Sequence, residues 1–113
     1  MPSFFLAEIE VLNPMKYQEY VDRASEIVQN YGGEYVFRSS SIIPVSGDWT
    51  PRRLVLIRFN SRTDMHMCFD SEEYLEIKHL REQSTKSRAV IIEQDAGGPL
   101  VIKGSACCGK LVQ

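Results

Sequence analysis

The run from Gly47 to Ser61 constrains the fold more than any other part of the chain. It passes from a polar turn, Gly47-Asp48-Trp49-Thr50-Pro51-Arg52-Arg53, into the apolar segment 54–59. Gly-Asp pairs favour turns, and short apolar runs bounded by turn residues are typical of buried strands. Ser61 with Asp64 resembles a helix capping box in which Asp replaces the usual Glu or Gln. The run therefore predicts a hairpin, a central strand and a helix, in that order.

The rest of the chain alternates between strand-like and helix-like patterns. Residues 4–11 alternate in hydropathy, as in a half-buried strand. Asn13-Pro14 then offers a cap and a first-turn proline for a helix that Gly32-Gly33 ends. Serines interrupt the β-prone segment 34–45, which we interpret as an irregular or bulged strand. In chain order, the predicted elements are a strand at 4–11, a helix at 14–31, strands at 34–45 and 53–59, helices at 62–69 and 72–83, and a strand at 88–94.

This order predicts one antiparallel sheet that is covered by helices on one face. Right-handed crossovers place the first and third strands side by side in its centre. By alternation, we expect one apolar set under the helices: Phe5, Ala7, Ile9, Val55, Ile57, Phe59, Val90 and Ile92. The opposite face carries a second set: Phe4, Leu6, Leu54, Leu56 and Ile91, joined by Glu8, Glu10, Arg58 and Glu93. Since a sheet face open to water is mostly polar, we expect a second copy of the chain to cover this one, giving a homodimer.

Composition and length limit the classes of function. The 113 residues suit one domain, which we place at residues 1–96; residues 97–113 form a C-terminal tail, either flexible or a strand exchanged with a dimer partner. The 13 basic and 15 acidic residues form no basic block, which argues against nucleic acid as a partner. No apolar run reaches the ~20 residues of a membrane span, and the N-terminus lacks the pattern of a signal peptide. We therefore expect a cytoplasmic protein with no membrane partner.

The residues that most often bind metals give no recognisable ligand spacing. The two histidines, His66 and His79, have no metal-binding pattern around them, so we expect no metal site, and no cofactor motif is present. Cys68 falls in a helical segment and is predicted to be a small buried side chain. Cys107 and Cys108 lie in the tail, where we expect exposed thiols; soft metal binding or a response to oxidants is the alternative.

Several landmarks in the sequence resemble a known family. They are Tyr31-Gly32-Gly33-Glu34-Tyr35, Arg38, Gly47-Asp48-Trp49, Pro51, Arg53, Phe59-Asn60-Ser61, Ser71-Glu72-Glu73-Tyr74, Lys78 and Leu80-Arg81. In this order, over about residues 3 to 95, the pattern is similar to the domain-of-unknown-function 1330 family. The resemblance implies an α+β ferredoxin-like fold of the dimeric α/β-barrel superfamily, with two sheets packed face to face. It implies no established activity, because the function of the family is unsettled.

The wider superfamily supplies a first functional hypothesis. Its members include cofactor-independent monooxygenases, isomerases and decarboxylase-like enzymes that act on small, often aromatic molecules. By this analogy we expect a small-molecule enzyme with a pocket between helices and sheet. The predicted ligand-binding residues are Tyr17, Tyr35, Asp48, Trp49 and Phe59; the predicted catalytic residues are Arg53, which would hold an anionic group, and His66, which would move a proton. The alternatives are a non-catalytic metabolite-binding protein and an interaction module.

The polar candidates also have structural interpretations. Asp48 can shape the turn, Trp49 can pack on the hairpin, and Arg53 can pair with a carboxylate; for these three we favour the structural interpretation. A charge cluster formed by Glu8, Glu10, Arg58 and Glu93 is either an ion-pair network that sets the register of the dimer or a polar site inside the barrel. We favour the ion pairs, since charges in a desolvated interface must be paired.

Overall fold

The computed structural model describes residues 1–94, which form four strands and three helices. The elements are β1 (Ser3–Val11), α1 (Pro14–Asn30), β2 (Glu34–Ser39), β3 (Leu54–Phe59), α2 (Arg62–Phe69), α3 (Glu72–Ser84) and β4 (Thr85–Glu93). Their order agrees with the sequence prediction, including the division of the second helical region into two helices. The predicted tail at 97–113, with Cys107 and Cys108, lies outside the described residues.

Two strand boundaries differ from the prediction by more than one residue. β2 ends at Ser39, so that residues 40–53 form a connection without regular structure rather than a longer strand. β4 begins at Thr85, directly after the last residue of α3. The Ser84 and Thr85 hydroxyls donate to backbone carbonyls of the last helical turn, four residues earlier in each case, which ties the strand start to the helix end. No loop therefore separates α3 from β4.

The helix ends follow the local sequence signals. Asn13, Ser61 and Ser71 each begin a helix, and each side chain accepts a hydrogen bond from the backbone N–H three residues later. Gly32, just after α1, has φ of +84°, in the left-handed region that glycine adopts readily.

The four strands form one antiparallel sheet in the order β2-β3-β1-β4. As predicted, β1 and β3 lie side by side in the centre. A register shift between Tyr35 and Phe37 confirms that β2 is irregular or bulged, as predicted. With the helices packed on one face, this is an α+β ferredoxin-like fold, and the other side of the sheet is called the open face below.

The predicted faces of β4 are wrong. The register pairs Phe5 with Ile91 and Leu6 with Val90, so Ile91 lies on the helix side. Val90 and Ile92 point to the open face, the reverse of the sequence prediction. The physical reason is that three consecutive apolar residues carry no alternation, so the phase is set by hydrogen bonding to β1.

The core lies between the sheet and the helices. Its main cluster of buried residues comprises Ala7, Ile9, Tyr17, Val28, Val55, Ile57, Phe59, Met65 and Cys68, and a second cluster comprises Ala24, Tyr74, Ile77 and Leu80. The open face keeps large apolar groups in contact with solvent, with Val90 55% and Ile92 43% exposed. Among the described residues, no helix has the length and apolar character needed to cross a membrane.

Candidate functional site

A cavity of about 180 Å³ lies between the sheet and the helices α1 and α3. Its apolar wall consists of core side chains from β1, β3, α1 and the end of α2: Phe5, Ala7, Ile9, Val21, Val28, Val55, Ile57 and Phe69. The strands β2 and β4 lie at its two sides, where Arg38, Ser87, Arg88 and Ala89 are exposed. The cavity is thus preformed, apolar at its centre and accessible from its margins.

Three tyrosines, three arginines and one serine supply the polar part of the lining: Tyr17, Tyr20, Tyr35, Arg38, Arg81, Arg88 and Ser87. Among the described residues that line the cavity, none is an aspartate, a glutamate or a histidine. The lining therefore offers hydroxyl and guanidinium donors in an apolar surrounding.

The hydroxyls of Tyr20 and Tyr35 stay protonated over a wide pH range. Burial raises the pKa of Tyr35 to about 12. Burial also raises the pKa of Tyr20 and of Tyr74, to which Tyr20 is hydrogen bonded. These groups can donate hydrogen bonds but are poor bases near neutral pH.

Arg53, predicted to hold an anionic group, contacts Tyr17 instead. Its Nε donates to the Tyr17 hydroxyl at 3.4 Å, and its Nη1 donates to Ser40 Oγ at 3.1 Å. The guanidinium carbon lies 5.9 Å from the centre of the Tyr17 ring. Arg53 does not line the cavity, but it is hydrogen bonded to Tyr17, which does.

His66 lies outside the cavity, in an adjoining cleft. It is exposed on α2 and shares this cleft with Phe5, Phe69 and Arg81, which line the cavity as well. Phe59 is fully buried and packs edge-on against Phe69 at 5.8 Å between ring centres, without lining the cavity. Of the predicted ligand-binding residues, only Tyr17 and Tyr35 line the cavity itself.

Trp49 and Asp48 lie away from the cavity, in the connection between β2 and β3. The Trp49 ring sits over the open face, where its Nε1 donates to Glu8 Oε2 at 3.4 Å. Asp48 is exposed. The sheet therefore separates Trp49 from Tyr17 and Tyr35.

The predicted charge cluster is divided between the two faces of the sheet. Glu8 binds Arg88 at 2.6 Å on the open face, and this hydrogen bond lowers the pKa of Glu8. Arg58 shares that face, but it lies near the far end of β3. Glu93 accepts from Ser3 Oγ at 2.6 Å, opposite Ser3 in the register and therefore on the helix side.

The expected arrangement, in which Glu93 flanks Arg58, is thus corrected, because the β4 register places Arg88 opposite Glu8. Glu10 has its own contact, with Arg52 at 4.0 Å. Sequence reasoning missed Arg88 because its face depends on this register.

Arg81 was also missed as a site residue, although its spacing carried a signal. It follows Tyr74 and Ile77 by seven and four residues, which places it on the buried side of α3. Cys68 is buried with a free thiol, and burial raises its pKa to about 11, so it is poorly suited to act as a nucleophile. No group of three or more potential ligands among residues 1–94 is arranged to hold a metal ion.

The strand order and the helices on one face define an α+β protein of the ferredoxin-like class, with a cavity between helices and sheet. A family model described as a domain of unknown function (DUF1330) matches residues 2–95, and the chain belongs to this family. The resemblance seen in the sequence is thereby confirmed. No curated protein matches the chain.

Solved structures with the same fold share little sequence with the chain. A protein of unknown function from Rhodopseudomonas palustris, RPA0582, superposes with a TM-score of 0.71 at 14% identity, over 85% of this chain and 84% of that one. SnoaB, a cofactor-independent oxygenase from Streptomyces nogalater, superposes with a TM-score of 0.62 at 10% sequence identity, over 88% of this chain and 98% of SnoaB. A candidate antibiotic biosynthesis monooxygenase from Nitrosomonas europaea superposes with a TM-score of 0.53 at 15% sequence identity, over 83% of this chain and 98% of that one. At these identities the likeness establishes the fold alone.

Proposed function

We propose that the protein binds a small, largely apolar molecule in the helix–sheet cavity and acts on it as a cofactor-independent enzyme. The observation that carries the proposal is the preformed cavity of about 180 Å³, whose largely apolar lining includes Tyr17, Tyr20 and Tyr35. An engineered apolar cavity of roughly 150 Å³ binds benzene, so this volume suits one substituted ring. Few well-placed polar groups in an apolar pocket are typical of small-molecule sites.

The chemistry that this lining supports is stabilisation of negative charge on the bound molecule. Tyrosines that remain protonated donate hydrogen bonds, and such donors stabilise an oxyanion most strongly where water is excluded. Tyr17 and Tyr35 would contact the ligand, and Arg53 would position Tyr17 through their hydrogen bond. The cofactor-independent oxygenase activity of SnoaB, which has the same fold, favours this class of enzyme.

His66 would take part only if the ligand extends from the cavity into the adjoining cleft. A ligand that extends past Phe5 and Phe69 would bring a group within reach of the imidazole. Phe59 would support the cavity from behind Phe69. Trp49 and Asp48 would belong to the open face rather than to ligand binding.

Binding is tested first, by protein NMR with benzene, phenol and indole as probes. We expect shifts in the methyl signals of Val21, Val55 and Ile57, which line the cavity. Ala89→Trp should abolish these shifts by filling the margin at β4, whereas Leu12→Trp, at an exposed position beyond β1, should retain them. Binding that persists unchanged in Ala89→Trp, or no shift with any probe at millimolar concentration, would contradict the proposal.

Catalysis is tested separately, with the molecules that bind. Oxygen consumption without added flavin or metal would indicate an oxygenase, and deuterium uptake from D₂O would indicate proton transfer of the isomerase type. Turnover should fall in His66→Ala and Arg53→Ala without a matching fall in melting temperature. If ligands stabilise the protein but neither reaction occurs, the function is non-catalytic metabolite binding.

We also propose that the chain is a homodimer joined through the open face. The support is an apolar surface on this side of the sheet, formed by Phe4, Leu6, Leu54, Leu56, Val90 and Ile92. Charges of both signs border it, as in the pairs Glu8–Arg88 and Glu10–Arg52. A second copy is a suitable partner because a two-fold interface must be complementary to itself. The cytoplasm is our proposal for its location, since the free Cys68 thiol suits a reducing compartment.

Sedimentation of two matched variants tests the dimer. Leu56→Glu places a charge in the centre of the open face and should yield monomers. Leu75→Glu makes the same change on the exposed surface of α3 and should leave the dimer intact. A Leu56→Glu protein with an unchanged dimer dissociation constant would exclude this face as the interface.

A further inference from the structure

Arg81 holds an unusual position among the arginines at the cavity. It lies on α3, and its side chain forms part of the wall between the cavity and the cleft that contains His66. Only 26% of the side chain is exposed. Its Nε is buried and makes no hydrogen bond within the described part of the chain. A buried N–H group without a partner is uncommon and calls for an explanation.

The other two arginines of the lining are already engaged. Arg38 donates to Ser25 Oγ at 3.1 Å and lies 4.5 Å from the centre of the Tyr35 ring. Arg88 is held by Glu8 at 2.6 Å. For Arg81 the structure records one ionic contact, a long 3.9 Å approach of Nη2 to Glu82 Oε2 at the surface. Its guanidinium group therefore retains donors for another partner.

The surroundings of Arg81 favour an anion as that partner. The described residues that line the cavity include no carboxylate to neutralise the guanidinium charge, and the carboxylate that shares a lining with Arg81, Asp70, belongs to the adjoining cleft. A planar guanidinium group binds a carboxylate through two parallel hydrogen bonds, which gives orientation as well as affinity.

We infer that Arg81 binds the anionic group of the ligand, so that the cavity selects a small ring or short aliphatic molecule bearing a carboxylate or a similar compact oxyanion. This inference rests on the proposed function, because it assigns a substrate class to the same cavity. It also transfers to Arg81 the role that the sequence had assigned to Arg53. The apolar part of the ligand would lie against Val55 and Ile57.

The test compares benzoate with benzamide, which has nearly the same shape but no charge. NMR titration of the wild-type protein should show tighter binding of benzoate. Arg81→Met keeps an apolar side chain and removes the guanidinium group. It should weaken benzoate binding about ten-fold or more while leaving benzamide binding nearly unchanged. Arg81→Lys should also lose part of the preference, because a point charge does not reproduce the planar guanidinium group. Arg23→Met, an exposed α1 position outside the lining, controls for the change in net charge.

The unfolding free energy of the unliganded variants adds a readout that separates binding from structure. Arg81→Met should be at least as stable as the wild type, because the change removes a buried unpaired donor. Equal affinities of benzoate and benzamide for the wild type, or a benzoate preference that survives in Arg81→Met, would overturn the inference and leave the cavity as a binding site. Failure of both probes to bind at millimolar concentration would overturn the inference together with the proposed function.

Discussion

The hydroxyl oxygens of Tyr20 and Tyr74 lie 2.7 Å apart, joining α1 to α3. The two rings meet edge to face at 6.2 Å between centres, and Tyr74 also packs edge-on against Phe69 at 5.0 Å. The pair thus connects the two long helices beside the cavity. Because one hydroxyl donates to the other, removing either one leaves its partner without this hydrogen bond in a largely buried position.

Removing both hydroxyls should cost less than the sum of the costs of removing each one alone. In Tyr74→Phe, the Tyr20 hydroxyl loses its partner in a largely buried position, and we expect a loss of about 1–2 kcal/mol in the free energy of unfolding. The double variant Tyr20→Phe/Tyr74→Phe should lose less than the sum of the single variants, because no polar group is left unpaired. Urea unfolding measures all three.

Tyr31→Phe is the matched control for this double-mutant cycle of Tyr20 and Tyr74. The Tyr31 hydroxyl donates to Glu73 at an exposed position, so its removal should change the free energy of unfolding by less than about 0.5 kcal/mol. Additive losses in the Tyr20/Tyr74 cycle would show that the two hydroxyls do not depend on each other.

The protein should lose stability as the pH rises above about 9. The folded-state pKa of Cys68 is raised from 9.0 to about 11, and that of Tyr35 from 10.0 to about 12. Between the ordinary and the raised pKa, the folded state binds more protons than the unfolded state, so the free energy of unfolding falls with increasing pH. The contribution of Cys68 is present below pH 9 and lost by about pH 11; that of Tyr35 is lost between pH 10 and about pH 12.

Urea unfolding at a series of alkaline pH values measures this fall. In Cys68→Ala, the part of the loss that begins at the thiol's ordinary pKa should disappear, so that the decline starts nearer pH 10, where tyrosines begin to ionise. A free energy of unfolding that stays constant up to about pH 11 would contradict the burial of these groups.

The sequence predicts the fold well where each strand carries a clear alternation. In β1 and β3, acidic or basic residues mark the open face, as with Glu8 and Arg58, and the predicted faces agree with the structure. In β4, the apolar run 90–92 has no such marker. The sequence therefore could not fix the phase, which depends on pairing with β1 and on the start of the strand directly after α3.

The candidate site is less accessible to sequence reasoning because it depends on tertiary packing. The alternation and helical spacing that define the core also bring Tyr17 and Tyr35 to the cavity. The path of residues 40–53, which takes Trp49 to the open face, leaves no periodic signal in the sequence. Arg81 could have been noted from its spacing to Tyr74, but a charged residue on a helix is usually solvated.

Replacing Gly33 by any residue with a side chain should destabilise the protein, for a steric reason. A Cβ atom there would lie 2.5 Å from Val28 Cγ1 and 2.8 Å from Phe59 Cε1, in the core. Gly33→Ala should lower the free energy of unfolding by about 1–3 kcal/mol, as is usual when a well-packed core is overfilled. Urea unfolding measures the loss.

Gly47→Ala separates this steric effect from backbone strain. Gly47 has φ of +79°, and a Cβ atom there would have no neighbour within 4 Å. Its substitution should cost only the conformational strain, about 1 kcal/mol. If Gly33→Ala proved the milder change, Val28 and Phe59 would have to move aside more easily than their burial implies.

Trp49 should report on the proposed dimer without any label. It is the only tryptophan of the chain, is 49% exposed and lies over the open face beside Leu54 and Val90. A second copy packed on this face would remove water from the indole ring, so its emission should shift to shorter wavelength as the protein concentration rises through the dimer dissociation constant. Leu56→Glu should hold the emission at the long-wavelength position at every concentration.

Since the sheet separates Trp49 from the cavity, ligands bound there should leave its emission unchanged. A dimer seen by sedimentation with no change in Trp49 emission would mean that the chains associate through another surface.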